Sequence, residues 1–422
     1  MAKDTETDTV SAEQTVHLVA RVGRLLFLSG ADTPHVAESV ANVARGLGHT
    51  VHVLITPGAI LATVGSNERF STKVGPEFTT PAVDMGRLTA IRAVVDDILG
   101  GLRDPDIIDG RLDAIEALSG RYPSFIVVLG VALTTASLAR LFGASWTVVA
   151  AAFIAGIASA CLRRLLPRFG LNQFLATFVV AVLSGLAGVL ALRLWSDASP
   201  VLVLTAAGMI LVPGVPLING IREISSGNAG NGVARLTTGT MTVLAIGFAL
   251  YAVGSLTGAT LPVDVGPGSL SVAQDLVYAG LAALGFAVLF NVPPSAIGFC
   301  IAAGMTSHGL RTGLEQLGAA LPISSLLGAL AAGLIARFAA GIHRVPAVVF
   351  AFPGVVAMIP GSYGFRAGIG GLLIMTQGSA ASPSLVSLTA ALAITTMVTT
   401  MAIAIGLTLS LSTRPDIHPA SA

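Results

Sequence analysis

Two stretches, MILVPGVPLINGIRE (209–223) and FPGVVAMIPGSYGFR (352–366), set the architecture of this chain. Each lies in an apolar run that would cross a bilayer if it were an uninterrupted helix, and each is broken by Pro-Gly. The first carries Pro213, Gly214, Pro216, Asn219 and Gly220; the second carries Pro353, Gly354, Pro360, Gly361, Ser362 and Tyr363. Proline lacks a backbone donor and glycine permits unwinding. Polar backbone freed at membrane depth is tolerated only against protein or a wet cavity. A pair of such breaks at matching places is the sequence mark of a transport site in the middle of a membrane.

Working outward, the two stretches belong to a repeat. A shift of 148 brings Leu141-Phe142 onto Leu289-Phe290, Gly156 onto Gly304, Ser159 onto Ser307, Leu162-Arg163 onto Leu310-Arg311, and Gly185-Leu186 onto Gly333-Leu334. A shift of 147 brings Pro213-Gly214 onto Pro360-Gly361. Apolar stretches of spanning length lie near 124–142, 145–161, 173–194, 200–221, 233–256, 271–291, 294–310, 319–340, 346–375 and 384–411. The expectation is ten transmembrane helices, with 346–375 either one broken helix or a re-entrant pair. Five spans per repeat is an odd number, so the second copy should run upside down relative to the first.

Charge divides the chain near Tyr122. Of 422 residues, 23 are Lys or Arg and 22 Asp or Glu, 11% of the total against roughly 25% in soluble domains. Residues 1–122 hold 11 basic and 16 acidic residues, whereas 123–422 hold 12 and 6. The expected plan is a tail (1–11), a cytosolic α+β domain (12–122), a first five-helix repeat (123–256), an external linker (257–270), a second five-helix repeat (271–412) and a cytosolic tail (413–422). The soluble part should begin with helices at 11–29 and from Thr33-Pro34 to Gly48, with Thr33 capping and Pro34 in the first turn. A hairpin about Pro57-Gly58 and helices near 84–99 and 105–118 should follow. Eight arginines fall at predicted inner ends of spans and four at outer ends, which places both termini in the cytoplasm.

Composition also excludes functions. A net charge of +1 without Lys/Arg clusters is not that of a nucleic-acid binder. Cys161 and Cys300 have neither metal-ligand nor disulfide spacing. No cofactor or metal is expected, and no P-loop, G-x-S-x-G or H-E-x-x-H occurs. His17, His35, His49 and His52 in the soluble part read as structural.

The candidate substrate-binding residues are therefore Pro213, Gly214, Asn219, Gly220, Pro360, Gly361, Ser362 and Tyr363. Their amides, carbonyls and hydroxyls suit a small zwitterion; the alternative is that these prolines only kink helices for packing. Asp275 is the candidate for a coupling proton. Against that stands Ser271-Val-Ala-Gln274, a capping-box pattern that would put Asp275 in a first turn. His308 and Arg311 read as interfacial anchors at the outer end of the seventh span.

SGADTPHVAESVANVARGLG (29–48), VLITPGAI (53–60), VDMGRL (83–88) and LVPGVPLINGIREISSGN (211–228) resemble the threonine/serine exporter family, with Asp32 where the family has Glu. FPGVVAMIPGSYGFR resembles the partner domain that some relatives carry as a separate protein. The resemblance spans about 12–412. It implies a secondary exporter of L-threonine and L-serine in the bacterial inner membrane, powered by the proton-motive force. Some relatives of this architecture are associated with dicarboxylates, which leaves export of small dicarboxylates as the alternative. A third reading, a membrane-anchored hydrolase working through 12–122, has no assembled catalytic set behind it. The partners expected are an amino acid and the bilayer, with assembly into a homo-oligomer left open.

Overall fold

The computed structural model describes residues 10–66, 69–76, 82–259, 263 and 270–412. The predicted terminal tails, apart from the residues at 10 and 11, and most of the predicted linker lie outside them. The chain divides into two compact units, one of residues up to 121 together with 222–234, the other of 122–221 and 235 onward. Both boundaries at 222–234 thus fall inside helices, and that short piece after the first Pro-Gly break belongs to the first unit, the one expected to be soluble.

In that unit, α1 (Ala12–Leu28) starts with a capping box between Ser11 and Gln14. Helix α2 (Thr33–Gly46) is capped by Asp32, whose carboxylate accepts the His35 amide at 3.1 Å. The expected cap was Thr33; the hydroxyl of Thr33 is turned to another partner, so the preceding carboxylate takes the role. Strands β1 (Thr50–Ile55), β2 (Ile60–Ser66) and β3 (Arg69–Val74) form an antiparallel sheet in chain order. Ile55 opposite Ile60 sets the expected hairpin, and Leu61 opposite Val74 adds a third strand. Ile60, Ala62 and Val64 alternate inward and are fully buried, with α1 packed across β2 and β3 and α2 against β1. Helices α3 (Met85–Leu99) and α4 (Pro105–Glu116) close the unit, capped by Asp84 and Asp104. Arg21 and Arg24 bridge to Asp109, Asp113 and Glu116 on α4. The bond from Arg24, and then that from Arg21, hold the Glu116 carboxyl below its usual range.

The described residues after 122 form helices: α5 (Ser124–Leu141), α6 (Trp146–Leu165), α7 (Gln173–Arg193), α8 (Val201–Met209), α9 (Gly214–Ser225) and α10 (Ala229–Thr257), the last two shared between the units, then α11 (Val272–Leu289), α12 (Ile297–Gln316), α13 (Leu321–His343), α14 (Val348–Val355), α15 (Gly361–Gln377) and α16 (Pro383–Ser412). Seven of these are single helices apolar and long enough to cross a membrane, and the bent pairs α8/α9 and α14/α15 raise the number to nine. The predicted seventh span, α12, is a 20-residue helix that carries His308, Arg311 and Glu315 and is not among those nine. The segment 346–375 is two helices meeting at 44°, and α8 meets α9 at 54°.

Several element boundaries recur at a shift of 147 or 148. Helices α5 and α11 start at 124 and 272 and end at 141 and 289; α8 and α14 start at 201 and 348; α9 and α15 start at 214 and 361. Helices α5 and α11 also pack on one another. Their backbones come so close that a Cβ on Gly285 would lie 2.4 Å from the Gly130 carbonyl oxygen. Beside it the Thr134 hydroxyl lies 3.0 Å from the Gly130 carbonyl and 3.4 Å from that of Ala282, 148 positions away, and can donate to one at a time.

Candidate functional site

Both helix breaks have the same backbone. At the first, the Gly214 amide turns back to the Val212 carbonyl at 2.8 Å; at the second, the Gly361 amide turns back to Ile359 at 2.7 Å. These are three-residue turns centred on Pro213 and Pro360, and Pro360 has φ −76 and ψ 49, near the inverse γ-turn. Helical continuity would have sent those amides to the carbonyls of Ile210 and Ala357. Each break therefore orphans one carbonyl, and a buried carbonyl without a partner costs about 1–3 kcal/mol.

At the first break the orphan is satisfied by an arginine. The Arg163 guanidinium, at the end of α6, donates to Ile210 at 2.8 Å. The second half supplies other groups. Pro353 inside α14 takes the amide from the bond that Val349 would accept, and the Cys300 thiol donates to that carbonyl at 3.5 Å. The Ser307 hydroxyl is 3.0 Å from both Gly354 and Gly304 carbonyls, and can donate to one at a time.

The two breaks meet. A Cβ on Gly214 would lie 2.2 Å from Ile359 Cδ1, and one on Gly361 would lie 2.6 Å from Val212 Cγ2. Here glycine serves close approach: each break seats the aliphatic side chain of the other. Between them lies a cavity lined by Leu138, Met209, Val212, Gly214, Phe286, Val356, Ile359 and Gly361. It holds about 10 Å³, barely one water. The lining consists of four repeat-related pairs: Leu138 with Phe286, Met209 with Val356, Val212 with Ile359, and Gly214 with Gly361.

Of the eight predicted substrate residues, Gly214 and Gly361 line this cavity, and Pro213 and Pro360 form the turns beside them. Asn219, Gly220 and Ser362 are buried and Tyr363 is half-buried, but none of these four lines it. Asp275 does occupy the first turn of α11, after the Ser271 cap. It is also buried, with Oδ2 3.4 Å from His308 Nδ1. His308 is only 1% exposed, which corrects its reading as an interfacial anchor. Helix α12 is packed by α11, α13 and α14, and those contacts enclose it.

A larger cleft, about 570 Å³, lies in the soluble unit and is walled by His17, Lys73 and Asp109 among others. Size alone would favour it as the site. Its histidine is committed, however: Nδ1 is 2.5 Å from Lys73 Nζ and Nε2 is 3.3 Å from Asp109. His49 bonds Thr15, and His52 stands on the outer face of β1. Burial pushes the His35 imidazole below its usual value. These histidines do not converge on one nucleophile. The membrane cavity is the better candidate because both halves build it.

One buried polar cluster in the first unit has no signature in the sequence. Arg222 pairs with Asp32 at 2.8 Å, Glu223 accepts the amide and hydroxyl of Thr33 at 2.9 Å each, and Asn231 donates to Thr33 and to Ile55. The partners lie some 190 positions apart, so no local pattern could have announced them.

Family profiles described as threonine/serine exporters, ThrE and ThrE_2, match residues 17–257 and 275–413. The "Threonine/serine exporter" of Corynebacterium glutamicum is 23% identical over 373 residues, 84% of this chain and 75% of that protein. The "Probable threonine/serine exporter" of Mycobacterium tuberculosis is 24% identical over 85% of this chain and 70% of its own length. The "Probable succinate transporter subunit YjjP" of Escherichia coli is 28% identical over 54% of this chain and 89% of its own length. No solved structure matches. The profiles together cover the soluble unit, both breaks and both halves, and they describe transporters rather than enzymes. The chain is a membrane protein that belongs to the threonine/serine exporter family.

Proposed function

We propose that this protein exports L-threonine and L-serine across the bacterial inner membrane, coupled to the proton-motive force. In this reading its ten spans form two inverted five-helix repeats and both termini are cytoplasmic. The observation that carries it is the meeting of the two Pro-Gly breaks on one cavity lined by repeat-related residues. Reciprocal contacts, Gly214 on Ile359 and Gly361 on Val212, are what a pseudo-twofold produces where its axis passes. A transporter built on such an axis alternates access by rocking one half against the other.

The closed cavity fits an occluded state. Opening it bares the amides and carbonyls of the two turns at Pro213-Gly214 and Pro360-Gly361, which match the carboxylate and ammonium of an amino acid. Asn219, Gly220, Ser362 and Tyr363, just beyond the turns on α9 and α15, are proposed to join as the halves move. The coupling proton is assigned to the neighbourhood of Asp275.

Succinate is the second reading, favoured by the likeness to YjjP. A dianion needs compensating cations at membrane depth. None of the eight lining residues is charged, and Arg163 is spent on the Ile210 carbonyl. A counterflow panel in vesicles decides it, comparing threonine, serine and succinate with and without a protonophore. The proposal expects threonine and serine to exchange and succinate not to; exchange of succinate alone would replace it.

A further inference from the structure

The two breaks orphan equivalent carbonyls, Ile210 and Ala357, 147 positions apart, and the two halves treat them differently. Arg163, a permanent cation, holds Ile210. Its repeat partner Arg311 does not take the corresponding place: it lies 3.7 Å from Glu315 and 3.4 Å from His308 Nδ1. Helix α12 packs on the turn that holds Ala357, and there His308, three residues earlier than Arg311, comes against the Ala357 backbone. Its Nε2 is buried and makes no hydrogen bond. Ala357 lies in the single 3-10 turn Val356–Met358, between α14 and Pro360-Gly361.

We infer that His308 binds the coupling proton and that its imidazolium clamps the second break through the Ala357 carbonyl, as Arg163 clamps the first. This rests on the exporter reading above and sharpens it, since Asp275 becomes the counter-ion rather than the carrier.

The chemistry is a simple protonation. Nδ1 lies 3.4 Å from both the Asp275 carboxylate and the Arg311 guanidinium, and a hydrogen on Nδ1 serves the carboxylate, the counter-ion of this proposal. In that tautomer Nε2 carries a bare lone pair and has no hydrogen to offer the Ala357 carbonyl. A proton arriving on Nε2 forms an N–H bond and supplies a charge-assisted donor bond to Ala357. When it leaves, the second break loses its clamp while the first keeps Arg163.

The other titratable or charged groups around His308 are few. On α11 there is Asp275, reached also by the Thr312 hydroxyl; on α12 there are Arg311 and Glu315, with Ser324 of α13 3.3 Å from Glu315. The stretch 348–358 packed against α12 contributes no ionisable side chain. Arg163 cannot titrate in the working range, whereas histidine can. The first break is thus a fixed clamp and the second a switched one.

The test uses the full chain in proteoliposomes with L-threonine. Counterflow needs no net proton movement; accumulation driven by a pH gradient does. His308→Gln and Asp275→Asn should lose at least about tenfold more in gradient-driven accumulation than in counterflow, within the usual range of coupling. Gradient-driven accumulation at the wild-type level in His308→Gln overturns the proposal. If the wild type itself exchanges threonine but ignores the gradient, proton coupling fails, and the proposal with it, while amino-acid export stands. Should the variants not insert, hydrogen exchange of the wild type gives the answer. Corrected for intrinsic rates, protection across 356–361 should rise on acidification through the histidine range while that across 209–214 stays flat. Equal pH responses at both breaks overturn the clamp.

Discussion

The first and second breaks share a backbone and differ in what holds it. Both are tight turns on a proline, both seat the other's aliphatic side chain, and both leave a carbonyl unpaired. The first carbonyl is tied to a guanidinium from α6. The second break is held by weaker and more varied groups: a thiol on Val349, a hydroxyl shared between Gly304 and Gly354, and a buried imidazole beside Ala357. On the proposed alternating-access reading, equivalent geometry with unequal restraint would let one break yield before the other. A pair of equally rigid breaks would resist rocking, and a pair of equally loose ones would leak.

This contrast can be broken from several sides. The largest effect is expected at the contact between halves. Gly285→Ala forces a methyl to within 2.4 Å of the Gly130 carbonyl oxygen, a backbone atom that cannot swing away. Overpacking of this kind costs about 1–3 kcal/mol or more, so the purified protein should unfold at lower temperature and lose transport. Unchanged melting would mean that α5 and α11 are not tightly packed there.

Next comes the second turn itself. Replacing Pro360 and Gly361 together by alanine should restore helical bonding, bury methyl groups against Val212, and reduce export at least about tenfold with the protein still in the membrane. That loss corresponds to about 1.4 kcal/mol on the transport barrier, and flux at matched membrane level measures it.

Arg163→Met removes the fixed clamp and leaves Ile210 without its donor, a cost of about 1–3 kcal/mol. Counterflow should fall several-fold, and hydrogen exchange across 209–214 should quicken while that across 356–361 does not. Equal loosening at both breaks would erase the distinction between them. The smallest effect is expected for Cys300→Ala, because a thiol is a weak donor: export should stay within about twofold.

Much of this was legible in the chain. Pro213-Gly214 and Pro360-Gly361 announced the breaks, and the shift of 147 to 148 announced that they are equivalent. Periodicity placed α1 to α4 and the hairpin, because those elements are specified by neighbours a few residues apart. What escaped notice depends on contacts across long separations. The third strand β3 is short and polar, with Ser71, Thr72 and Lys73 in an otherwise β-like run. Residues 222–234 look like the continuation of a membrane helix, yet Arg222, Glu223 and Asn231 are claimed by Asp32, Thr33 and Ile55 of the soluble unit. The two breaks that the sequence picks out do line one cavity, but not with the groups expected: hydroxyls and an amide were expected, whereas the closed cavity is aliphatic and aromatic. Sequence marks where a helix must unwind; which faces then meet is decided by packing.

The central claim is that both breaks contribute to one substrate site. The direct measurement is substrate protection of single cysteines at the repeat-related positions Met209 and Val356, in a transport-active background where Cys161 and Cys300 are serine. L-threonine should slow labelling by a membrane-permeant thiol reagent at both positions, and succinate should slow it at neither. Labelling indifferent to threonine at both positions, or protected in one half alone, would contradict a shared site.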